Sequence, residues 1–208
     1  MAVAVFPLGP LQTNSYIIHN ATRAVAVDVG GDPAPMLEYL KSHQLTLDAV
    51  CITHRHFDHM YGVAELADAT GAPVYMPQGD DSLADTESGK GGIWGFPPVP
   101  DFKSSPMPLG KTSIGGMDCE VLETPGHTPG GVSLYFPEEQ VVFTGDALFY
   151  RSIGRTDFPG GDHDTLLRSV RDVLFKLPAE TVAYPGHGPA TKIGDEAANN
   201  PFCGEFRP

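Results

Sequence analysis

Apolar positions along the chain follow two different periods, and the switches between them mark out the elements. Runs of β-branched and aliphatic residues predict short strands at 3–6, 15–19, 24–29, 49–52, 74–76, 119–123, 132–136, 141–144 and 182–184. Two stretches repeat instead every three or four residues and predict amphipathic helices. These are 33–43, with Met36, Leu37 and Leu40 on one face, and 60–70, with Val63, Leu66 and Ala67. A third spans about 164–176, its stripe formed by Leu167, Val170 and Leu174 and backed by Leu166 and Val173. Asp162 or Asp164 can cap that helix, and Pro178 ends it. Strands dominate, and their order departs from strict β-α-β alternation, so two sheets packed together with helices outside is the predicted architecture.

A chain of 208 residues suits a single domain, 1–208, with a substantial core. Within it, residues 79–116 are rich in Gly and Pro and hold the sole tryptophan, Trp94. This stretch reads as a surface loop or, more sharply, as a lid.

The chemistry concentrates in Thr53-His54-Arg55-His56-Phe57-Asp58-His59, between a predicted strand and a predicted helix. A shuffled copy of the chain would carry H-x-H-x-D-H on the order of once in a thousand. Neutral imidazoles and a carboxylate suit zinc, iron or manganese. Three further positions share one local grammar, in which an apolar strand precedes a glycine-containing turn and then a potential ligand. They are His127 in Thr124-Pro-Gly-His127-Thr-Pro-Gly130, Asp146 in Thr144-Gly-Asp146, and His187 in Pro185-Gly-His187-Gly188. The remaining histidines, His19, His43 and His163, have no such setting and read as structural or solvent-exposed. Cys51, Cys119 and Cys203 lie outside these motifs, which argues against a closed thiolate zinc site.

H-x-H-x-D-H followed by T-P-G-H-T-P-G, T-G-D and P-G-H-G resembles the metallo-β-lactamase superfamily, and within it the glyoxalase II-like (hydroxyacylglutathione hydrolase-like) proteins. The resemblance covers essentially residues 2–202. It implies an α+β fold, a four-layer αβ/βα sandwich with the site at one edge between the sheets. It also implies two divalent metal ions, zinc foremost, with iron or manganese accommodated by the same ligands. His54, His56 and His127 would hold the first ion and Asp58, His59 and His187 the second, with Asp146 as a bridge. Asp28 matches an early family aspartate that would orient a ligand histidine, or it is an ordinary strand-end residue. Such a site implies hydrolysis of an acyl bond by a metal-bridging hydroxide, a thioester such as an S-hydroxyacylglutathione being the favoured substrate, with Asp58 and Asp146 among the catalytic residues.

Substrate contacts are less defined. Full-length glyoxalase II enzymes carry a C-terminal helical domain with basic residues for glutathione, and this chain is expected to lack it. Arg155, in Gly154-Arg-Thr-Asp-Phe158, matches a basic glutathione-contacting position, whereas Asp157 replaces an aromatic one, so the two could equally form a structural ion pair. The same G-R-T-D-F segment after T-G-D-A-L resembles iron-dependent persulfide dioxygenases, the alternative reading. Those enzymes end in P-A-H-D-Y, however, whereas Pro185-Gly-His-Gly188, Ile193-Gly-Asp-Glu196 and Asn200-Pro-Phe202 resemble the small single-domain glyoxalase II-like group. Quorum lactonases place a tyrosine where Phe149 stands, and β-lactamases usually lack the His59 equivalent.

Composition narrows the partners. A formal charge of −13 without a Lys/Arg cluster argues against nucleic acid. No apolar run approaches bilayer length, and no signal peptide opens the chain, so no membrane partner is expected. Three widely spaced cysteines point to a reducing cytoplasm. The resemblance makes a small-molecule thioester, such as a glutathione conjugate, the expected partner.

Overall fold

The computed structural model describes residues 1–93 and 95–204, so Trp94 of the predicted lid lies outside the described residues. The chain divides into two compact units, residues 1–108 with 113–117 and residues 109–112 with 118–208.

The first unit carries a six-stranded sheet in plain sequence order, β1 (Ala2–Leu8), β2 (Thr13–His19), β3 (Arg23–Val27), β4 (Thr46–Cys51), β5 (Val74–Met76) and β6 (Ser105–Pro106). The first three strands pair antiparallel, whereas β3, β4, β5 and β6 run parallel. Parallel neighbours need crossovers, and helices α1 (Ala34–Ser42) and α2 (Val63–Thr70) supply two of them. Met36, Leu40, Val63 and Leu66 from these helices pack with Ile17, Ala26 and Val50 from the sheet. The period-2 and period-3.6 patterns thus meet in one core.

The second unit holds most of the other sheet, with order β14 (Thr191–Lys192), β13 (Val182–Pro185), β10 (Val141–Gly145), β9 (Val132–Phe136), β8 (Met117–Glu123) and β7 (Gly110–Ile114). β9 is antiparallel to both β8 and β10, and β13 is parallel to β10. Strands β8, β10 and β13 therefore run the same way, and their C-terminal ends share one edge. A hairpin, β11 (Leu148–Phe149) with β12 (Ser152–Ile153), follows β10. The predicted third helix is a single helical run. It begins as α4 (His163–Arg168), widens to a π turn over Ser169–Val173 and tightens to a 3₁₀ turn over Leu174–Lys176. Asp162 caps it by accepting from the Thr165 N–H at 2.7 Å. Leu166, Val170 and Leu174 face Val142 and Ala183, joined by Ile193 of α5 (Ile193–Asn199).

Two departures from the predicted elements have local causes. The strand predicted to reach residue 29 stops at Val27, because Asp28 turns the chain with φ +55°. The Gly/Pro-rich stretch 79–116 is more structured than a loop. It holds a 3₁₀ turn at Gln78–Leu83, the short helix α3 (Glu87–Lys90) capped by Thr86, and strands β6 and β7. Polar side chains on Asp80 and Thr86, rather than an apolar stripe, organise these turns, so periodicity does not expose them. Among the described residues no helix is long and apolar enough to cross a membrane.

Candidate metal centre

Ligands of open α/β sheets gather at the carboxyl ends of parallel strands, where side chains leave the sheet without needing to continue a ladder. In the first unit Asp28 directly follows β3, and the parallel neighbour β4 leads into Thr53-His54-Arg55-His56. The loop is knitted to the end of β3. The Thr53 N–H donates to Asp28 Oδ1 at 2.8 Å and the Thr53 hydroxyl to Asp28 Oδ2 at 2.8 Å. On the far side of the loop, the Arg55 N–H donates to buried Asp80 Oδ2 at 2.9 Å. A 3₁₀ turn, Phe57–His59, then lifts Asp58 and His59 into place, with the Val29 N–H donating to the His59 carbonyl at 2.9 Å.

His54, His56 and His59 are all buried, and the His54 ring lies 4.8 Å from that of His56 and 4.1 Å from that of His59. Hydrogen bonds set their tautomers. Asp28 Oδ2 only accepts, so His59 Nδ1, at 2.8 Å, carries its proton. Thr53 Oγ1 spends its own proton on Asp28, so it accepts from His54 Nδ1 at 3.0 Å. Both neutral rings consequently present a lone pair at Nε2. Asp58 is held in turn by the Thr13 hydroxyl, which donates to Oδ2 at 2.9 Å. Burial, with the Asp58 charge in second place, pushes the nearby Tyr61 phenol up to about 12, so it stays protonated.

The second unit carries three of the candidates at the shared edge of its strands. After β8 the turn Thr124-Pro-Gly-His127 is fixed to the helical run, as Ser169 Oγ donates to the Pro125 carbonyl at 2.7 Å and Asp162 N–H to the Gly126 carbonyl at 2.8 Å. Gly126 has φ +127°, and a Cβ there would collide with the Leu166 backbone, so glycine is required. His127 Nδ1 lies 2.7 Å from the Arg155 carbonyl, which can only accept, so Nε2 is again the lone-pair atom. Asp146 follows β10, with Oδ2 3.5 Å from His127 Nε2 and 3.7 Å from His187 Nε2. His187 follows β13, whose parallel register pairs Gly145 with Pro185, and the Gly186 N–H donates to the Gly145 carbonyl at 2.8 Å.

Three groups of side chains each bring ligand atoms within 4.8 Å of one another: His54, His56 and His127; Asp58, His59 and His187; and His54, His59 and Asp146. Each group could hold a metal ion. Nitrogen and oxygen donors, with no thiolate among them, match a site for a borderline-to-hard divalent ion. Arg155 differs from the other candidates. Its Nε and Nη2 donate to Asp157 at 2.7 and 2.6 Å, and its guanidinium lies 4.1 Å from the Phe158 ring centroid. The Arg155 hydrogen bond pulls the Asp157 carboxyl down to about 2, so the pair is ionised across the neutral range. Outside the centre, His19 and His43 engage Tyr39, one by a hydrogen bond of 2.9 Å and the other by ring stacking at 4.0 Å.

Thr13, Thr53, Asp80 and the Arg155 carbonyl escaped sequence reasoning. Thr53 adjoins the H-x-H motif, where a hydroxyl was a visible signal, whereas Asp80 comes from a distant turn and Thr13 from the start of β2, and neither left one. Gly154 is equally constrained. A Cβ on it would strike the Asp146 carbonyl oxygen and reach 3.1 Å from His127 Nδ1. Gly154→Ala should therefore displace both residues and weaken metal binding at least about tenfold, as measured by titration of the metal-free protein.

The model of the metallo-β-lactamase superfamily matches residues 8–187. "Probable metallo-hydrolase YqgX" of Bacillus subtilis is 37% identical, the alignment covering 96% of each chain. Hydroxyacylglutathione hydrolase GloC of Haemophilus influenzae is 32% identical, with 97% of this chain and 98% of that one covered. Among solved structures, BLEG-1 B3 metallo-β-lactamase superposes with a TM-score of 0.91 at 39% identity, covering 97% and 99%. TTHA1623 in a di-iron-bound form gives 0.86 at 40%, covering 96% and 99%. ETHE1 from Myxococcus xanthus gives 0.78 at 31%, covering 98% of this chain and 84% of that one. With the superfamily's α+β sandwich and a His/Asp cluster built to bind metal, the chain belongs to the metallo-β-lactamase superfamily as a metal-dependent hydrolase.

Proposed function

We propose that the centre holds two divalent metal ions and that the protein hydrolyses a small acyl thioester, an S-hydroxyacylglutathione being the model substrate. His54, His56 and His127 would hold one ion, and Asp58, His59 and His187 the other. Asp146 would bridge them. The observation that carries this reading is the overlap of the donor groups. Asp146 is grouped with His54 from one triad and His59 from the other, which is where a bridging carboxylate belongs. The di-iron-bound relative supports two ions, and the choice of zinc rests on the borderline character of the ligands.

When bound, a metal pair of this kind would lower the pKa of a bound water toward about 7 and polarise the acyl oxygen. The protein's own part is to hold seven donors in fixed tautomers and charge states. Asp28 and the Arg155 carbonyl do so for His59 and His127, and Thr13 does so for Asp58. A thiolate leaving group, with an ordinary pKa near 8.5, departs without a strong general acid, so none needs to be built here. Arg155 is the proposed substrate contact. A glutathione carboxylate would have to share its guanidinium with Asp157, which fits a preference for thioesters less anionic than glutathione's. A cytoplasmic setting belongs to the same proposal, supported by three separate buried thiols.

The deciding experiment combines metal analysis of the purified protein with a panel of S-hydroxyacylglutathione, simple acyl thioesters, a chromogenic β-lactam and glutathione persulfide. Two metals per chain and thioester turnover are expected. Oxygen uptake with the persulfide would instead favour the dioxygenase reading, which Gly154–Phe158 and the ETHE1 relative keep in view. β-Lactam cleavage without thioester turnover would replace the substrate class.

A further inference from the structure

The hairpin β11–β12 joins two residues of the metal centre. It begins just after Asp146, and just beyond its end the Arg155 carbonyl receives His127 Nδ1 at 2.7 Å, while Gly154 lies against the Asp146 carbonyl. Wherever this hairpin tilts, His127 and Asp146 must follow. Its tip is strained, because Arg151 holds φ +54° without being glycine.

That tip is gripped by one buried carboxylate from α5. Glu196 is fully buried and accepts four hydrogen bonds. The Arg151 N–H donates to Oε2 at 2.9 Å and Arg151 Nη1 to Oε1 at 3.0 Å, so the backbone and side chain of the same left-handed residue are both held. The Thr191 hydroxyl donates to Oε1 at 2.6 Å and Asn200 Nδ2 to Oε2 at 2.8 Å. Asn200 Nδ2 also reaches the Ser152 carbonyl of the hairpin at 3.0 Å. A buried charge with this many donors is costly to disturb and rigid while intact.

We propose that Glu196, with Asn200, is a positioning residue for the metal centre, acting through the hairpin on His127 and Asp146. The Ile193-Gly-Asp-Glu196 and Asn200-Pro-Phe202 segments then have a physical task, which is to clamp the return path between two metal ligands. This inference rests on the proposed two-metal reading.

The test is a Co(II) titration of the metal-free protein, followed by visible absorption, for the wild type, E196Q and N200A. Gln supplies one acceptor oxygen in place of two and leaves the Arg151 guanidinium without its charge partner. E196Q should weaken the equivalent held by His127 about 10- to 100-fold and alter the Co(II) ligand-field bands. N200A, which removes the Ser152 tether and one of the four donors to Glu196 but keeps the carboxylate and its Arg151 partner, should shift the same equivalent in the same direction by less and serves if E196Q folds poorly. Both variants with wild-type affinities and spectra, whatever their melting temperatures, would overturn the clamp. A wild-type protein that binds no Co(II) would instead overturn the two-metal reading itself.

Discussion

Asp146→Ala is expected to abolish hydrolysis while leaving a folded protein that no longer retains two metal ions. Asp146 caps the end of β10, and its neighbours on the sheet, β9 and β13, are bonded through backbone groups that the substitution spares. What disappears is the carboxylate whose Oδ2 lies 3.5 Å from His127 Nε2 and 3.7 Å from His187 Nε2. The same carboxylate is grouped with His54 and His59. Among the described residues no other carboxylate is grouped with both His54 and His59, since Asp58 is grouped with His59 and His187. The remaining imidazoles are neutral, so two dications would be left facing each other with less negative charge to offset their repulsion. Turnover should fall by at least about a thousandfold, equivalent to roughly 4 kcal/mol of lost transition-state stabilisation. Metal content should fall to one ion per chain or fewer by elemental analysis. Asp146→Asn separates charge from shape, because it keeps the volume and one oxygen but not the negative charge. It should be nearly as damaged as the alanine variant. Full metal content with full turnover in either variant would remove the bridging role.

The sequence was most transparent where chemistry and topology reinforce each other. His127, Asp146 and His187 each follow a strand and a glycine turn, and β8, β10 and β13 do end on one edge. The helix stripes are also visible, because Met36, Leu40, Val63, Leu66, Leu166, Val170 and Leu174 all enter the cores at the spacing a helix dictates. What periodicity could not reveal are elements too short to display a period, such as α3, β6, β11, β12 and β14. α5 is a different case, as only Ile193 and Glu196 of its helical turns are buried, and one of them is charged. A buried glutamate reads as surface in any apolar pattern, so the clamp on the hairpin stayed hidden. The same holds for Asp80, a buried carboxylate inside a stretch that composition marks as a loop. Residues that act by orienting others carry no compositional mark and emerge only from hydrogen-bond partners.

Asp28 shows how much such an orienting residue can carry, and two substitutions there should fail in different ways. In Asp28→Ala the buried Thr53 N–H and His59 Nδ1–H both lose their acceptor. Each orphaned group costs about 1–3 kcal/mol, and alanine at φ +55° adds roughly 1–2 kcal/mol that an aspartate tolerates better. A loss of several kcal/mol should lower the melting temperature of the metal-free protein by about 10–20 °C for a chain of this size. Asp28→Asn should be milder for stability and more telling for the site. Its amide oxygen can still accept from the Thr53 N–H, but its NH2 then occupies the place of Oδ2 and presents a donor to His59 Nδ1. The neutral His59 ring can satisfy that donor only by moving its proton to Nε2, the atom that should face the metal. Loss of the same orienting charge from a catalytic triad produces the wrong histidine tautomer in the same manner. Metal affinity should therefore drop by 10- to 100-fold or about that, although the metal-free melting temperature stays within a few degrees of the wild type. Thermal melts with and without added zinc separate the two effects, because metal that binds only the folded state raises the transition by an amount that grows with the logarithm of its affinity. An Asp28→Asn protein that gains as much from zinc as the wild type would show that the carboxylate does not set the His59 tautomer.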